Sequence, residues 1–424
     1  MRGSASEIHV MPTLPPIQFP LIGNSLVVGF FSLLHIAVAG LSVGFMVLAP
    51  IFEWRGRTDP AALELAHAVT RFTVVVFSAS TVLAVIMVEL LIGLFPITTM
   101  WMWNQFRGPI ALGLAAFLVQ LLALYPYYHF WDRIIRRRPS LHLALGAAAA
   151  FLMLMWVLVL DGMGSYMLTP VEGTGSWGHL PNATWLPLAL HRLIGDVLAA
   201  GYALAAYGAW RSGRPADQPH RPYYAYLART GWMIGLAALL LQPFTGLLYA
   251  RSIQSSVPQA YEQLVHGPYQ WLVYLQFTLI GLLFVGNHLL LRAASSGNAP
   301  SRWIDTLVVA SVVALVASVG HQALRRTLLY VLVVITLWSL MRLWSTGGMA
   351  GVTAGVRMRP VMAALGVIAL LTYLTMGTIR ETARRPDTVR NVISLQDEVK
   401  HPAAFREGRG WSGEQAHLPT ERLD

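Results

Sequence analysis

Ten stretches of about 20 mostly apolar residues follow one another along this chain, each about long enough to cross the ~30 Å hydrocarbon core of a bilayer as a helix. They lie near 22 to 50, 70 to 95, 108 to 130, 141 to 161, 184 to 210, 228 to 250, 269 to 292, 303 to 320, 325 to 345 and 361 to 378. In lipid a backbone N–H or C=O finds no water, so a lone segment of this length satisfies itself only as a helix. The sequence therefore predicts an all-α, polytopic transmembrane helical bundle of nine to ten helices. Nine stays open because the eighth and ninth runs are parted only by the stretch from Gly320 to Ala323, with Arg325 and Arg326 beyond it. Composition agrees: only 12% of the 424 residues are charged, against roughly 25% in soluble domains.

Arginine in the short loops sets the orientation. Arg55 and Arg57 follow the first run, Arg133 and Arg136 to Arg138 the third, and Arg211, Arg214 and Arg221 the fifth, while the intervening loops are poor in basic residues. The arginine-rich loops face the cytoplasm and the N-terminus lies outside. Residues 1–21 form an outer N-terminal segment, 22–378 the bundle, and 379–424 a polar tail that lies outside with ten helices and inside with nine. The first run is too long and too far from the N-terminus for a signal peptide and reads as a retained span. The loop from Gly162 to Trp185, rich in Gly, Thr and Pro, is expected to pack over the outer face as a lid.

Several chemistries are excluded by residue type. The chain has no cysteine, so disulfides, thiolate zinc, iron-sulfur clusters and covalent c-type haem are ruled out. Lys400 is the one lysine, which removes a P-loop or Schiff-base lysine from the body of the chain. The net charge of +10 sits mostly in loops between apolar runs, as topology demands, and gives no reason to expect nucleic acid.

Ionisable groups inside hydrocarbon are costly and are functional candidates by default. His35 lies at mid-depth in the first run, Glu89 deep in the second, and His191 near the outer start of the fifth, with Arg192 and Asp196 close by. His288 and His321 stand near the ends of later runs. Histidines on different helices among Gly, Ala and Leu suit axial ligation of haem iron. Each also has a plainer reading: His35 and His191 as helix-to-helix hydrogen-bonding residues, His288 and His321 as water-accessible end residues, and Arg192 as a residue snorkelling to the interface rather than pairing a haem propionate. Glu89 reads as a proton-handling or arginine-paired carboxylate. His67, His129, His142 and His179, in or near loops, read as surface residues, and the tryptophans at 101, 103, 131 and 210 as interfacial anchors. Gly201, Pro243 and Gly246 are possible helix breaks of the kind that build transporter sites.

The order of these residues resembles subunit I of the cytochrome bd quinol oxidases. The segment LLHIAVAGLSVGF is similar to that family's opening helix, with His35 at its haem-ligand histidine; Glu89 and Gly93 match a glutamate four residues before a glycine; FWDRI and His142 are loosely similar to its third helix and beyond. Met167, Pro170 and Val171 resemble its methionine and proline-valine signature, His191 and Trp210 its low-spin haem ligand and closing tryptophan, Gln242 and Pro243 its glutamine-proline. The stretch ETARRP resembles its glutamate and glycine-arginine-glutamine-proline element, with Glu381 at a haem-ligand glutamate and Arg384 at the arginine. The departures are specific: the family's two third-helix glutamates fall near Leu112 and Gln120, its quinol-loop lysine and glutamate near Thr245 and Ala250, and its second low-spin ligand, a methionine, near Leu279.

The resemblance implies a membrane subunit of a bacterial-type cytoplasmic membrane that binds b-type haem, with His35 and His191 as iron ligands, Arg192, His288, His321 and Glu381 as further haem-binding candidates, and Glu89 as the candidate catalytic carboxylate. It implies quinone or quinol, a second membrane subunit and lipid as partners; the missing acids count against haem d and point to an outer-face cytochrome as redox partner. A working oxygen-reducing oxidase remains one alternative, and a haem-free anchor or transporter another.

Overall fold

The computed structural model describes residue 19 and residues 21–295, 302–318, 320–346 and 358–394. The segment expected over 1–21 therefore lies almost wholly outside the described residues, as does the tail beyond 394. Twelve α-helices and one two-stranded hairpin are described: α1 (Asn24–Arg55), α2 (Pro60–Leu94), α3 (Pro96–His129), α4 (Trp131–Arg137), α5 (Pro139–Tyr166), α6 (Trp185–Arg211), α7 (Arg221–Ser256), α8 (Pro258–His266), α9 (Gln270–Ala294), α10 (Arg302–Ala317), α11 (Gln322–Ser345), α12 (Arg359–Thr382), then β1 (Asp387–Val389) paired antiparallel with β2 (Ile393–Ser394). Proline opens α2, α3, α5, α7, α8 and α12 within their first two residues, where its missing N–H costs nothing. Asp59 caps α2 by accepting from the Ala61 N–H at 3.0 Å, leaving fewer bare donors at that helix end.

Among the described residues nine helices are long and apolar enough to span a bilayer. Contacts at the two ends decide how often the chain crosses. One end, the loop end, gathers the segment after α5, the start of α9 and the hairpin: Arg390 N–H donates to the Met167 carbonyl at 3.0 Å and Arg385 to the Tyr269 hydroxyl at 3.2 Å. The far end joins Arg359, opening α12, to the Ser212 carbonyl after α6 at 3.0 Å. The chain thus arrives at the far end with α9 and must leave it again with α12. Between them α10 starts at the far end, where Asp305 meets His288 at 2.8 Å, and α11 starts at the loop end, where Arg325 meets Tyr261 of α8 at 3.0 Å. That makes ten passages, the tenth being α10, whose 16 residues extend only about 24 Å. It also puts the hairpin on the same end as the start of α1.

Two expectations are corrected by the helices themselves. Gly201, Pro243 and Gly246 mark no breaks, since α6 and α7 run unbroken through them; Gly201 instead brings two backbones together, for a Cβ there would fall 2.5 Å from Gly235 N. A bend does occur in α3, where Phe106 leaves helical geometry at φ −116° and ψ 19°, three residues before Pro109, whose ring crowds the preceding turn. Of the four tryptophans expected as anchors, Trp103 and Trp210 are exposed but Trp101 and Trp131 are buried, because the loop-end segment and α5 close over them.

The core beneath α6, α7 and α9 is pinned by one polar network. Trp232 donates to Asn287 at 2.8 Å, and Asn287 donates to the Tyr202 hydroxyl and the Leu283 carbonyl, both at 2.7 Å; all three network side chains are fully buried. Asn287→Leu is expected to lower stability by about 1–3 kcal/mol, the cost of leaving a buried indole N–H without its acceptor. Thermal unfolding in detergent beside Asn287→Gln checks it.

Candidate functional site

His35 sits eleven residues into α1, roughly 17 Å from its start, and His191 six residues into α6, roughly 9 Å from the loop end. The ring of His35 places Nδ1 3.1 Å from the Ser80 carbonyl of α2. A carbonyl only accepts, so Nδ1 holds the proton and Nε2 keeps a lone pair. His191 repeats the arrangement with a hydroxyl. Its Nδ1 lies 3.3 Å from Thr245 Oγ1, and that hydroxyl spends its own proton on the Gln242 carbonyl at 3.3 Å. Gln242 in turn donates to the His191 carbonyl at 3.2 Å, lacing α6 to α7. Gly246 lets the ring lie against the helix backbone: a Cβ there would sit 3.1 Å from His191 Cε1. Tyr249 is stacked beyond it, ring centroids 6.2 Å apart.

Beside His191 lies an ion cluster built from three helices, α5, α6 and α12. Arg192 donates to Asp161 of α5 at 2.6 Å and stands 4.0 Å from Asp196, one turn further along α6. Tyr373 of α12 donates to Asp196 at 2.7 Å. Both carboxylates are fully buried, and α1 approaches through Gly40, where a Cβ would fall 2.5 Å from the Tyr373 hydroxyl and 2.6 Å from Asp196. Arg192, read from the sequence as a propionate partner or a residue snorkelling to the interface, is paired with Asp161 in the structure. Asp161 and Tyr373 were legible only as single polar residues inside apolar runs, because their partners lie 31 and 177 residues away.

The remaining candidates stand apart. Glu89 is exposed on the same face of α2 as Val82, Val85, Ile86 and Ile92, not among the buried acids. His288 lies roughly 9 Å from the far end of α9, its Nε2 2.8 Å from Asp305, which also pairs Arg292. His321 is exposed just before α11. Glu381 is half exposed and pairs with Arg384, which also contacts the Thr388 carbonyl and Met167 Sδ. The loop from 167 to 184 is knotted by hydrogen bonds among Thr169, Asn182 and Thr184 at 2.7 to 3.3 Å, and buries Leu168 and Leu180 over the loop end.

One histidine contradicts its reading outright. His142, expected at the surface, is fully buried: Nδ1 lies 2.8 Å from Glu53 of α1 and Nε2 3.1 Å from the Tyr127 carbonyl of α3. It opens α5 close to a loop in sequence, but α1, α3 and α4 pack over it, with Trp131 edge-on at 4.5 Å. His67 stacks on Trp131 from the other side at 4.7 Å.

The donor set suits haem more than a bare ion. Among the described residues no three histidine and carboxylate side chains converge as an ion site, whereas a haem iron takes one or two axial ligands from the protein and its other four from the macrocycle. Both His35 and His191 present Nε2 with Nδ1 held by an oxygen, the second-sphere pattern of iron-ligating histidines. Gln120 of α3 is fully buried with both amide atoms lacking a partner, which in a folded protein marks a place where a further group belongs.

Comparison with known proteins bears on the same helices. A family model described as "Cytochrome bd terminal oxidase subunit I" matches residues 26–267, which include both histidines and the ion cluster except Tyr373. Among solved structures, the bd oxidase from Geobacillus thermodenitrificans is similar with a TM-score of 0.51 at 14% identity, over 85% of this chain and 98% of that one. At that identity the likeness is one of fold. No curated protein matches the sequence.

Proposed function

This chain belongs to the cytochrome bd terminal oxidase subunit I family, and from that premise we propose that it is a b-haem-binding subunit of a bd-like respiratory complex, passing electrons between the quinone pool and a redox protein at the outer face. The observation that carries this reading is the pair of histidines, on α1 and α6, whose Nδ1 atoms are committed to oxygen acceptors and whose Nε2 atoms are left as ligands. Bound haem would supply a one-electron ferric-ferrous couple within the membrane. The Ser80 carbonyl and Thr245 hydroxyl fix tautomer and ring plane, and Gly246 leaves the His191 ring room.

The choice of electron transfer over oxygen reduction rests on the acids. The positions where the resemblance places proton-route glutamates hold Leu112, exposed, and Gln120, buried, and neither side chain can release and take up a proton as a carboxyl group does. Glu89 stands on an exposed face where a second membrane subunit would cover it. The segment between α7 and α9, where quinol is oxidised in relatives by resemblance, is short, running from Val257 to Tyr269 with the nine residues of α8 at its centre. In this reading the chain lies in the inner membrane with the loop end and N-terminus outside, and the hairpin and 167–184 loop form the docking face for the outer cytochrome.

Thr245→Val removes the acceptor for His191 Nδ1 and is expected to weaken haem retention by about 10–100-fold, read as haem per chain after a dialysis series. The electron-transfer role is tested by adding a short-chain quinol anaerobically to the purified complex. The b-type band is expected to become reduced, and readmitted air to cause no sustained quinol-driven oxygen uptake. Sustained four-electron oxygen consumption would instead establish the oxidase.

A further inference from the structure

At the far end, remote from His35 and His191, an open groove of about 460 Å³ lies between the C-terminus of α6 and the start of α12, lined by Trp210, Gly213, Arg214, Pro215, Arg359 and Pro360, with Ala363 below. Its two guanidinium groups come from different elements and flank one backbone turn. Arg359 donates one nitrogen to the Ser212 carbonyl at 3.0 Å, and its other terminal nitrogen would be 2.9 Å from a Cβ on Gly213. Arg214 lies over the Trp210 ring, 5.0 Å from its centroid. The nearby carboxylate, Asp217, is taken by Arg211 through two hydrogen bonds of 2.6 and 2.8 Å, and no acid lines the groove among the described residues.

Below the arginines the surface turns apolar. Pro360, Ala363, Val367 and Leu370 follow one another down α12 at spacings of three and four, all exposed, and so share one helix face. Trp210, 56% exposed, borders the groove one residue from the end of α6, and tryptophan at the end of a membrane helix favours the zone between headgroup and chain. A pair of guanidiniums over an apolar track asks for a ligand with an anionic head and a hydrocarbon body. Guanidinium donors match phosphate oxygens in charge and fork geometry, and basic pockets between membrane helices at this kind of end hold lipid headgroups.

We infer that this groove binds the phosphodiester of an anionic glycerophospholipid, its acyl chains lying along the Ala363, Val367 and Leu370 face of α12. The inference rests on the membrane fold and the far-end contacts, not on haem. It is tested by native mass spectrometry of the full chain, with whatever subunits co-purify, released from micelles containing equal phosphatidylglycerol and phosphatidylcholine. Wild type is expected to retain phosphatidylglycerol preferentially, and each groove arginine removed, as in Arg214→Gln and Arg214→Gln with Arg359→Gln, to cost about fivefold in retention. Arg214→Lys should restore most of the loss, and Arg137→Gln, an arginine at the same end but outside the groove, should leave retention unchanged. Arg359 also ties α12 to Ser212, so Arg214→Gln, which leaves that bond intact, is the deciding variant if the double substitution fails to fold. Equal retention of both lipids, an Arg137→Gln loss as large as that of Arg214→Gln, or displacement of the lipid by an equal concentration of inorganic phosphate would each overturn the inference.

Discussion

His191→Ala is expected to strip the low-spin b-type haem from the purified protein. Haem per chain should fall by at least about tenfold, since a single lost axial bond removes more than the 10–100-fold effect of a lost outer-sphere partner. The fold should survive, because the ring is only part-buried and lies against glycine rather than in a packed core. Free imidazole, small enough for the space that the truncated side chain leaves, should restore part of the visible spectrum. An unchanged spectrum would mean that His191 only laces α6 to α7 through Thr245, the plainer of its two readings.

The second large effect concerns stability rather than cofactor. Arg192→Ala leaves Asp161 and Asp196, 1% and 0% exposed, without their cation, with the Tyr373 hydroxyl the one donor that the structure shows to Asp196. Breaking a buried ion pair from one side costs about 3–5 kcal/mol, so the variant should melt far below wild type in detergent or fail to accumulate. Replacing Arg192 and Asp161 together by leucine should recover part of that loss, because the stranded charge of Asp161 goes with its partner while Asp196 keeps only the Tyr373 hydroxyl. If Arg192→Ala melts with wild type, the cluster is hydrated and its charges are not the buried set that their positions indicate.

The sequence and the structure part company at particular residues. Apolar runs are a local signal, and all ten appear as helices, including α10 and α11, whose separation around Gly320 to Ala323 the sequence left ambiguous. The number of passages needed the contacts of Asp305 and Arg325 at opposite ends, which no window of sequence contains. His35 and His191 stood out because a lone histidine in lipid is expensive. Glu53 and His142 did not, since each lies within a turn of a helix end, where water is the default partner; their pairing across 89 residues is a product of packing. For Glu89 the depth in α2 was legible but not the face it occupies, which in this chain alone is exposed. The same limit hid the cluster around Arg192 and Asp196, since Asp161 and Tyr373 reach them from α5 and α12 only once the helices pack.

Whether this subunit carries b-type haem on His35 and His191 decides the functional reading as a whole. The decisive experiment is to purify the full chain with its co-purifying subunits and record the pyridine haemochrome and the reduced-minus-oxidised spectrum of wild type beside His35→Ala and His191→Ala. Protohaem is expected in the wild type, with a b-type spectrum that lacks a d-type band, and a lower haem-to-protein ratio in each variant. A protein that is folded, intact and without haem, or haem content unaltered in both variants, would contradict it.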